Sequence, residues 1–260
     1  MTLALVLFLT LGESPGQASY DRAHALFVAK KLPEASAAVD EALAHDPRLV
    51  PALTLKAKLA MVAQRHDVAR QCLERALAVD PTSAYAQFLY GMEAFLANEM
   101  TPALARFRRA RELAPKDART VLYLGLSTES VGRPAEALEL YREAVRLARD
   151  AGQLQGETLV PGGRLLLLLD RVDESEKWLR EAVRLSPQLR DAHFDLARLL
   201  LKRGQAAEAA AEGEKALAVA EGTVTDQAIR YLLIRAWRAA GQPEKAALHA
   251  DVIRASENVR

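Results

Sequence analysis

The sequence predicts an all-α fold made of repeated helix pairs, and three observations carry that expectation. A short ending recurs as ALAHDP at 42–47, ALAVDP at 76–81 and ARELAP at 110–115, which places Pro47, Pro81 and Pro115 at intervals of 34 residues. Small and large residues fall into fixed columns at the same interval. Aromatic residues make up only 5% of the chain, and β-branched alternation is scarce, so little is available to build strands. A period of about this length marks stacked supersecondary units.

Units starting at Gly16, Val50, Ala84 and Ala118 bring the columns into register. The eighth place holds Ala23, Ala57, Gly91 and Gly125; the twentieth holds Ala35, Ala69, Ala103 and Ala137; the twenty-seventh holds Ala42, Ala76, Ala110 and Ala144. Small side chains in register let helices approach closely, and Val39, Leu73, Phe107 and Tyr141 at the twenty-fourth place are sized to fill the gaps. In the third unit, SAYAQFLYGMEAFLAN is apolar at helical spacing and EMT turns the chain. PALARFRRARELA then opens with Thr101 as N-cap and Pro102 in the tolerated first turn, and Pro115 stops it. The fourth unit places Gly132 at its turn and Pro134 at the start of its second helix.

The pattern continues in a fifth unit from Gly156, a sixth from Arg190 and a seventh from Gln227, with four extra residues before the fifth and three before the seventh. Gly213 and Ala250 stand in the large-residue column and Ser175 in an alanine column, so the last two units are expected to pack less tightly. The stretch GGRLLLLLD at 162–170 is too short for a spanning helix, which needs about 20 apolar residues, and lacks the Gly-Lys-Ser/Thr of a phosphate loop. It reads as the first helix of the fifth unit. Leu165, Leu166 and Leu169 are expected to pack on neighbouring helices, and Leu167 and Leu168 to lie at or beside an open face. Pro161 and Gly162 are expected to weaken the start of this helix and to allow a bend.

These columns, with YGMEAF, LGLSTESVGRPAEALELYREAV and the proline endings, resemble the tetratricopeptide repeat family over nearly all of residues 16–257. The pentatricopeptide type, which reads RNA one base per repeat, has a similar length. The 34-residue spacing, the alanine columns and a net charge of +1 favour the tetratricopeptide type. The resemblance implies an α-solenoid of about seven helix-turn-helix repeats forming a right-handed superhelix, at roughly 16–49, 50–83, 84–117, 118–151, 156–189, 190–223 and 227–260, with no unit stable alone. It also implies an inner groove lined by the first helix of each repeat, where peptide partners lie.

By helical spacing the fifth, ninth and twelfth places of the first helices face one way. Around repeats two to four they supply Met61, Phe88, Met92, Phe95, Leu122 and Leu126, with Tyr85 at the second place, an adaptable surface for apolar side chains. Around repeats five to seven they supply Arg164, Arg198 and Arg235, joined by Arg238, with Leu167, Phe194 and Tyr231 alongside. Such arginines suit acidic side chains or a terminal carboxylate. Against this, Asp195 lies three residues before Arg198 and Glu157 seven before Arg164, so the arginines can equally be paired on a solvated helix, worth about 0–1 kcal/mol each. No asparagine stands on these columns, so the lysine and asparagine clamp of some family members is not expected.

Other chemistry finds little support. The balance of 35 basic and 34 acidic residues leaves no overall footprint for nucleic acid. Cys72 is the only cysteine, so no internal disulfide can form. The five histidines (His24, His45, His66, His193 and His249) are widely separated, and no HExxH, CxxC or glycine-rich phosphate motif occurs. No catalytic, cofactor or metal residues are expected.

Residues 1–18 read as a signal peptide or an apolar leading segment. TLALVLFLTL at 2–11 has signal-peptide length and suits cleavage before Ser19, although a positive n-region is missing. Export is favoured over cytoplasmic residence, and no integral membrane span is expected. In the final helix, Leu248, Val252 and Ile253 must either tuck inward or form a homo-oligomeric contact. The expected function is a noncatalytic protein-protein interaction scaffold or adaptor. The alternative is a structural subunit of a homo-oligomeric or cell-envelope assembly.

Overall fold

The computed structural model describes residues 14–257, so the apolar run at 2–11 lies outside the described residues. Within them are fourteen α-helices and no strand. In chain order they are α1 (Pro15–Val28), α2 (Leu32–His45), α3 (Val50–Val62), α4 (His66–Val79), α5 (Ala84–Leu96), α6 (Met100–Leu113), α7 (Ala118–Ser130) and α8 (Pro134–Asp150). They continue as α9 (Gly156–Leu168), α10 (Val172–Leu185), α11 (Arg190–Lys202), α12 (Ala206–Ala218), α13 (Asp226–Ala239) and α14 (Pro243–Glu257). The chain divides into two compact units at Pro115 and Lys116. Gly16 to Ser19, around the expected cleavage site, are the second to fifth residues of α1.

Each helix pair is joined by the same turn. Lys30, Gln64, Asn98, Gly132, Asp170, Gly204 and Gly241 all have φ between 55° and 78°, the left-handed conformation that ends a helix. The residue after each donates its N–H five residues back: Lys31 to Leu26 O (3.0 Å), Arg65 to Ala60 O (2.8 Å), Glu99 to Ala94 O (2.8 Å), and likewise through Gln242 to Trp237 O (2.8 Å). These bonds satisfy carbonyls that the helix end would otherwise leave open. At the opposite ends, Ser14, Ser83, Asp117 and Thr225 accept N–H bonds as N-caps. Thr101 is not one of them: α6 starts two residues earlier than that cap would require, with Glu99 at the cap position, and Thr101 and Pro102 lie in its first turn.

The size columns are explained by contacts inside each pair. A Cβ added to Gly91 would stand 2.6 Å from the Phe107 ring, one on Gly125 2.7 Å from Tyr141, and one on Gly163 2.9 Å from Leu179. The eighth place thus packs under the twenty-fourth, and the aromatic residues there require glycine opposite. Gly213 fits the same logic with a different partner: Leu233 of α13 comes within 2.8 Å of where its Cβ would be. The sixth repeat therefore closes on the seventh instead of loosening, since the missing side chain is replaced by one from the next helix. Ser175 is fully buried and donates to Gly163 O at 2.7 Å, so its hydroxyl is satisfied in what is otherwise an alanine column.

The leucine run also departs from expectation. Leu165, Leu166 and Leu167 are buried, whereas Leu168 and Leu169 are exposed. Leu169 is the C-cap residue, beyond the last turn, and Leu167 points to the following first helix, where it joins Leu196, Leu199 and Leu200. Helix α9 runs through Pro161 without a break. Gly162 is what lets it pack, because a side chain there would run into the Trp178 ring.

In the first unit α1 packs on α3 and α3 on α5; in the second, α9 packs on α11 and α11 on α13. Each second helix instead packs on the first helix of its own repeat and, within a unit, on that of the next. First helices consequently lie side by side over α1, α3 and α5 in the first unit and over α9, α11 and α13 in the second. The three-residue insertion before α13 is held to the stack by α11. Arg190, buried, donates to Val219 O (2.8 Å) and pairs with Asp226, and Asp191 accepts from Thr223 N (3.1 Å), Thr223 Oγ1 (2.7 Å) and Val224 N (3.0 Å).

Candidate functional site

The first-helix face of the first unit is aromatic and apolar. Tyr85 is exposed and its ring stacks at 6.4 Å on Phe88, which is itself buried against Phe107 at 5.8 Å. Phe88 therefore belongs to the packing beneath the face, because the large residue at the twenty-fourth place reaches it. Met92 and Phe95 are half-buried. Beside them lies a cleft of about 250 Å3 between α1, α3 and α5, lined by Tyr20, His24, Pro51, Thr54, Lys58 and Tyr85 among others. The Tyr20 and His24 rings sit 6.1 Å apart, and burial, with Asp21 and Tyr85 nearby, raises the Tyr20 phenol above its ordinary value. Lys58 Nζ stands 4.4 Å above the Phe27 ring, a cation held over a π face.

The columns chosen from sequence miss the most exposed apolar residues here. Val28, Val62 and Leu96 are 67%, 59% and 55% exposed. They occupy the thirteenth place, again 34 residues apart, on helices that pack side by side. Each is the last helical residue before the left-handed turn, so no following turn covers it. The signal was present as an apolar column, but helical spacing alone does not show where a helix stops covering its own surface.

A buried charge ties this unit together. Glu93 is fully covered and bonds His66 Nδ1 at 3.1 Å and Arg70 Nε at 2.9 Å; Arg70 also pairs with Glu99 at 2.8 Å. Hydrogen bonds from Arg70 to Glu99 and then Glu93 hold its guanidinium further above its ordinary value. Cys72 is buried, and desolvation raises its thiol, which suits an inert packing role.

In the second unit Leu122 and Leu126 are half-buried against the cluster of Tyr141, Leu165 and Leu166. The Tyr141 hydroxyl donates to Glu129 Oε2 at 2.6 Å, and burial, then that bond, pushes the phenol well up. Further along, Phe194 and Arg198 are half-buried and Tyr231, Arg235 and Arg238 are exposed. Arg198 Nη1 donates to the buried Asp195 carboxylate at 2.9 Å and lies 5.8 Å over the Phe194 ring. Desolvation raises the Asp195 carboxyl despite the opposing pull of Arg198 and Arg164.

Glu157 accepts from Ser186 Oγ at 3.1 Å rather than pairing with Arg164, because it belongs to the first turn of α9, beside the end of α10. Of the four arginines only Arg198 has an ion pair among the described residues. The face therefore carries positive charge from Arg235 and Arg238 without an ion pair among the described residues, while Arg164 acts on the Asp195 carboxylate.

Among the described residues no cluster of histidine, cysteine or carboxylate side chains could hold a metal ion, and no helix is long and apolar enough to cross a membrane.

The tetratricopeptide repeat family model matches residues 54–118 and 101–152. No curated protein matches the chain in sequence. Among solved structures, the chain is similar to one in the APC/C hetero-tetramer Cut9–Hcn1, with a TM-score of 0.76 at 17% identity over 86% of this chain and 43% of that one. It thus spans less than half the length of that protein. PilW, a widely conserved type IV pilus biogenesis factor, gives a TM-score of 0.72 at 20% identity over 82% of this chain and 96% of PilW. Yeast Tom70 gives 0.66 at 19% identity over 92% of this chain and 50% of Tom70. These identities speak for the fold alone. The family model thus matches residues 54–152, in the middle of the chain, and the described residues throughout form an all-α solenoid of helix pairs.

Proposed function

We propose that the chain is a noncatalytic interaction scaffold whose first-helix faces bind a segment of a partner protein. The observation that carries this is the row of Val28, Val62 and Leu96, each more than half exposed and set beside an open cleft. Adjacent helix axes lie about 8–10 Å apart, and one heptad of a partner helix rises about 10.5 Å, so an amphipathic helix can set one apolar residue on each. In the second unit, Arg164, Arg235 and Arg238 supply a cationic face for an acidic portion of the partner. One structural neighbour is itself a subunit of a hetero-tetramer, in keeping with this use of the fold.

Affinity capture from the source cell, with mass spectrometry, tests the proposal. Val62→Glu with Leu96→Glu should lose a specific partner that the wild type retains, with helix content unchanged by circular dichroism. Retention of every partner would overturn it.

A second reading, a structural subunit of a homo-oligomeric or envelope assembly, is favoured by α14. There Leu248 and Val252 are exposed, one turn apart, while Ile253 is buried. Sedimentation velocity of the full chain separates the two, since a monomer at all concentrations excludes self-assembly through α14.

A further inference from the structure

A cavity of about 430 Å3 lies in the second unit between the ends of the second helices α10 and α12, bordered by the turn from α10 to α11. Its buried wall is His193, 5% exposed, whose Nδ1 meets Glu212 at 2.6 Å and whose Nε2 meets Pro187 O at 2.9 Å. This pair breaks the pattern of the repeat. The fourth place, where His193 stands, holds the buried Leu53, Val121 and Leu159 in other repeats, and the twenty-third, where Glu212 stands, holds the buried Ala38, Cys72 and Leu140. Burying two ionisable groups carries a desolvation cost that apolar side chains do not, and such pairs beside a cavity mark candidate sites.

The pair also sets the charge of the lining. Glu212 itself does not line the cavity; it accepts from Lys215 Nζ at 2.7 Å and so holds that ammonium at the cavity edge, with donors to spare. Arg184, exposed in the last turn of α10, has no ion pair or hydrogen bond among the described residues. No carboxylate of the described residues lines the cavity. Two cations from neighbouring helices thus face one opening, over an apolar surface of Val183, Pro187, Ala218 and Val219. The volume falls in the range of about 300–1,000 Å3 typical of ligand sites.

We propose that this cavity binds a small phosphate monoester with an apolar organic part. The Arg184 guanidinium takes two phosphate oxygens in a bidentate pair, Lys215 takes the third, and Val183 and Val219 meet the organic group. His193 is a positioning residue, acting through the Glu212 that holds Lys215. Two positive charges suit a ligand of matching charge: a phosphate monoester carries about −1.5 to −2 at neutral pH, whereas a carboxylate carries one negative charge. The site uses the ends of second helices and the proposed scaffold uses first-helix faces, so either can fail without the other.

The test is a titration of the isotopically labelled full chain at neutral pH, followed by amide NMR, with phenyl phosphate, inorganic phosphate and benzoate. Phenyl phosphate should give saturable shifts confined to residues 183–193 and 215–219. The other two should bind at least fivefold more weakly, inorganic phosphate for want of an apolar group and benzoate for want of a second charge. Arg184→Ala should weaken phenyl phosphate at least fivefold, and Ala218→Trp, which fills the cavity without changing charge, should abolish its binding. Both positions are exposed, and circular dichroism checks that helix content is kept. Val62→Glu should leave the binding unchanged. Absence of saturable shifts, equal binding of benzoate or inorganic phosphate, or binding that survives both cavity variants would overturn the proposal.

Discussion

Gly91 lies beneath the Phe107 ring so closely that one added carbon would stand 2.6 Å from two ring atoms. Phe107 is fully buried, so the ring cannot swing aside without displacing its neighbours. Gly91→Ala is expected to destabilise the protein by about 1–3 kcal/mol through overpacking, although alanine favours helix. Phe107→Ala should cost about 3–5 kcal/mol. The two changes together should cost clearly less than their sum, which urea denaturation of the four species measures as a coupling energy.

The seven turns differ in how well their residues suit a left-handed backbone. Gly132, Gly204 and Gly241 adopt it freely, whereas Lys30 and Gln64 hold φ of 59° and 55° with a full side chain. Lys30→Gly and Gln64→Gly should each stabilise the protein, by about 1 kcal/mol. Both sites are exposed, so thermal melting of the single variants reads the backbone effect with little change in contacts. A fall in melting temperature for both would contradict the assignment of these turns.

His193 should make stability depend on pH. Its ring is buried between Glu212, 2.6 Å from Nδ1, and Pro187 O, 2.9 Å from Nε2, so both nitrogens face acceptors, an arrangement that favours the protonated ring. The Glu212 bond raises its pKa above the ordinary 6.5 against the effect of burial. That contribution is complete below about 6.5 and is lost as pH rises through the raised value.

Burial alone would raise the Glu212 carboxyl, but the bonds from His193 and Lys215 outweigh it and leave it below the ordinary 4.5. Its contribution is present above about 4.5 and is lost as pH falls through the lowered value. Thermal melts from acid to alkaline pH should therefore place the pair's greatest contribution between these limits. His193→Gln should flatten the fall on the alkaline side.

Asp195 tests whether the arginine face is for packing or for recognition. Burial already disfavours its charge, so Asp195→Asn should change stability by less than about 1 kcal/mol. The same change removes the partner of Arg198 and makes the face more positive. A glutamate-rich probe peptide should bind the variant more tightly than wild type and Arg198→Glu more weakly, with both effects diminishing in added salt. Equal binding by all three, measured by fluorescence anisotropy, would assign the arginines to the solvated surface alone.

The period, the helix pairs and the turn positions were legible in the amino-acid sequence because they rest on short-range chemistry. Left-handed turns recur at fixed places, and the residues that face each other inside a pair, such as Gly125 and Tyr141 or Gly163 and Leu179, lie sixteen apart in the chain. What lay open was decided only by tertiary structure. Phe88 and Leu167 share the predicted groove columns, yet one is covered by Phe107 and the other by Leu196 and its neighbours. Val28, Val62 and Leu96 sit one place beyond a predicted column and stand uncovered because their helices end there. Glu93 meets His66 and Arg70 only when successive repeats stack, and His193 meets Glu212 only when the two helices of the sixth repeat pair. Exposure and charge pairing depend on what the neighbouring helix brings, and a periodic pattern read along one chain does not contain that distance.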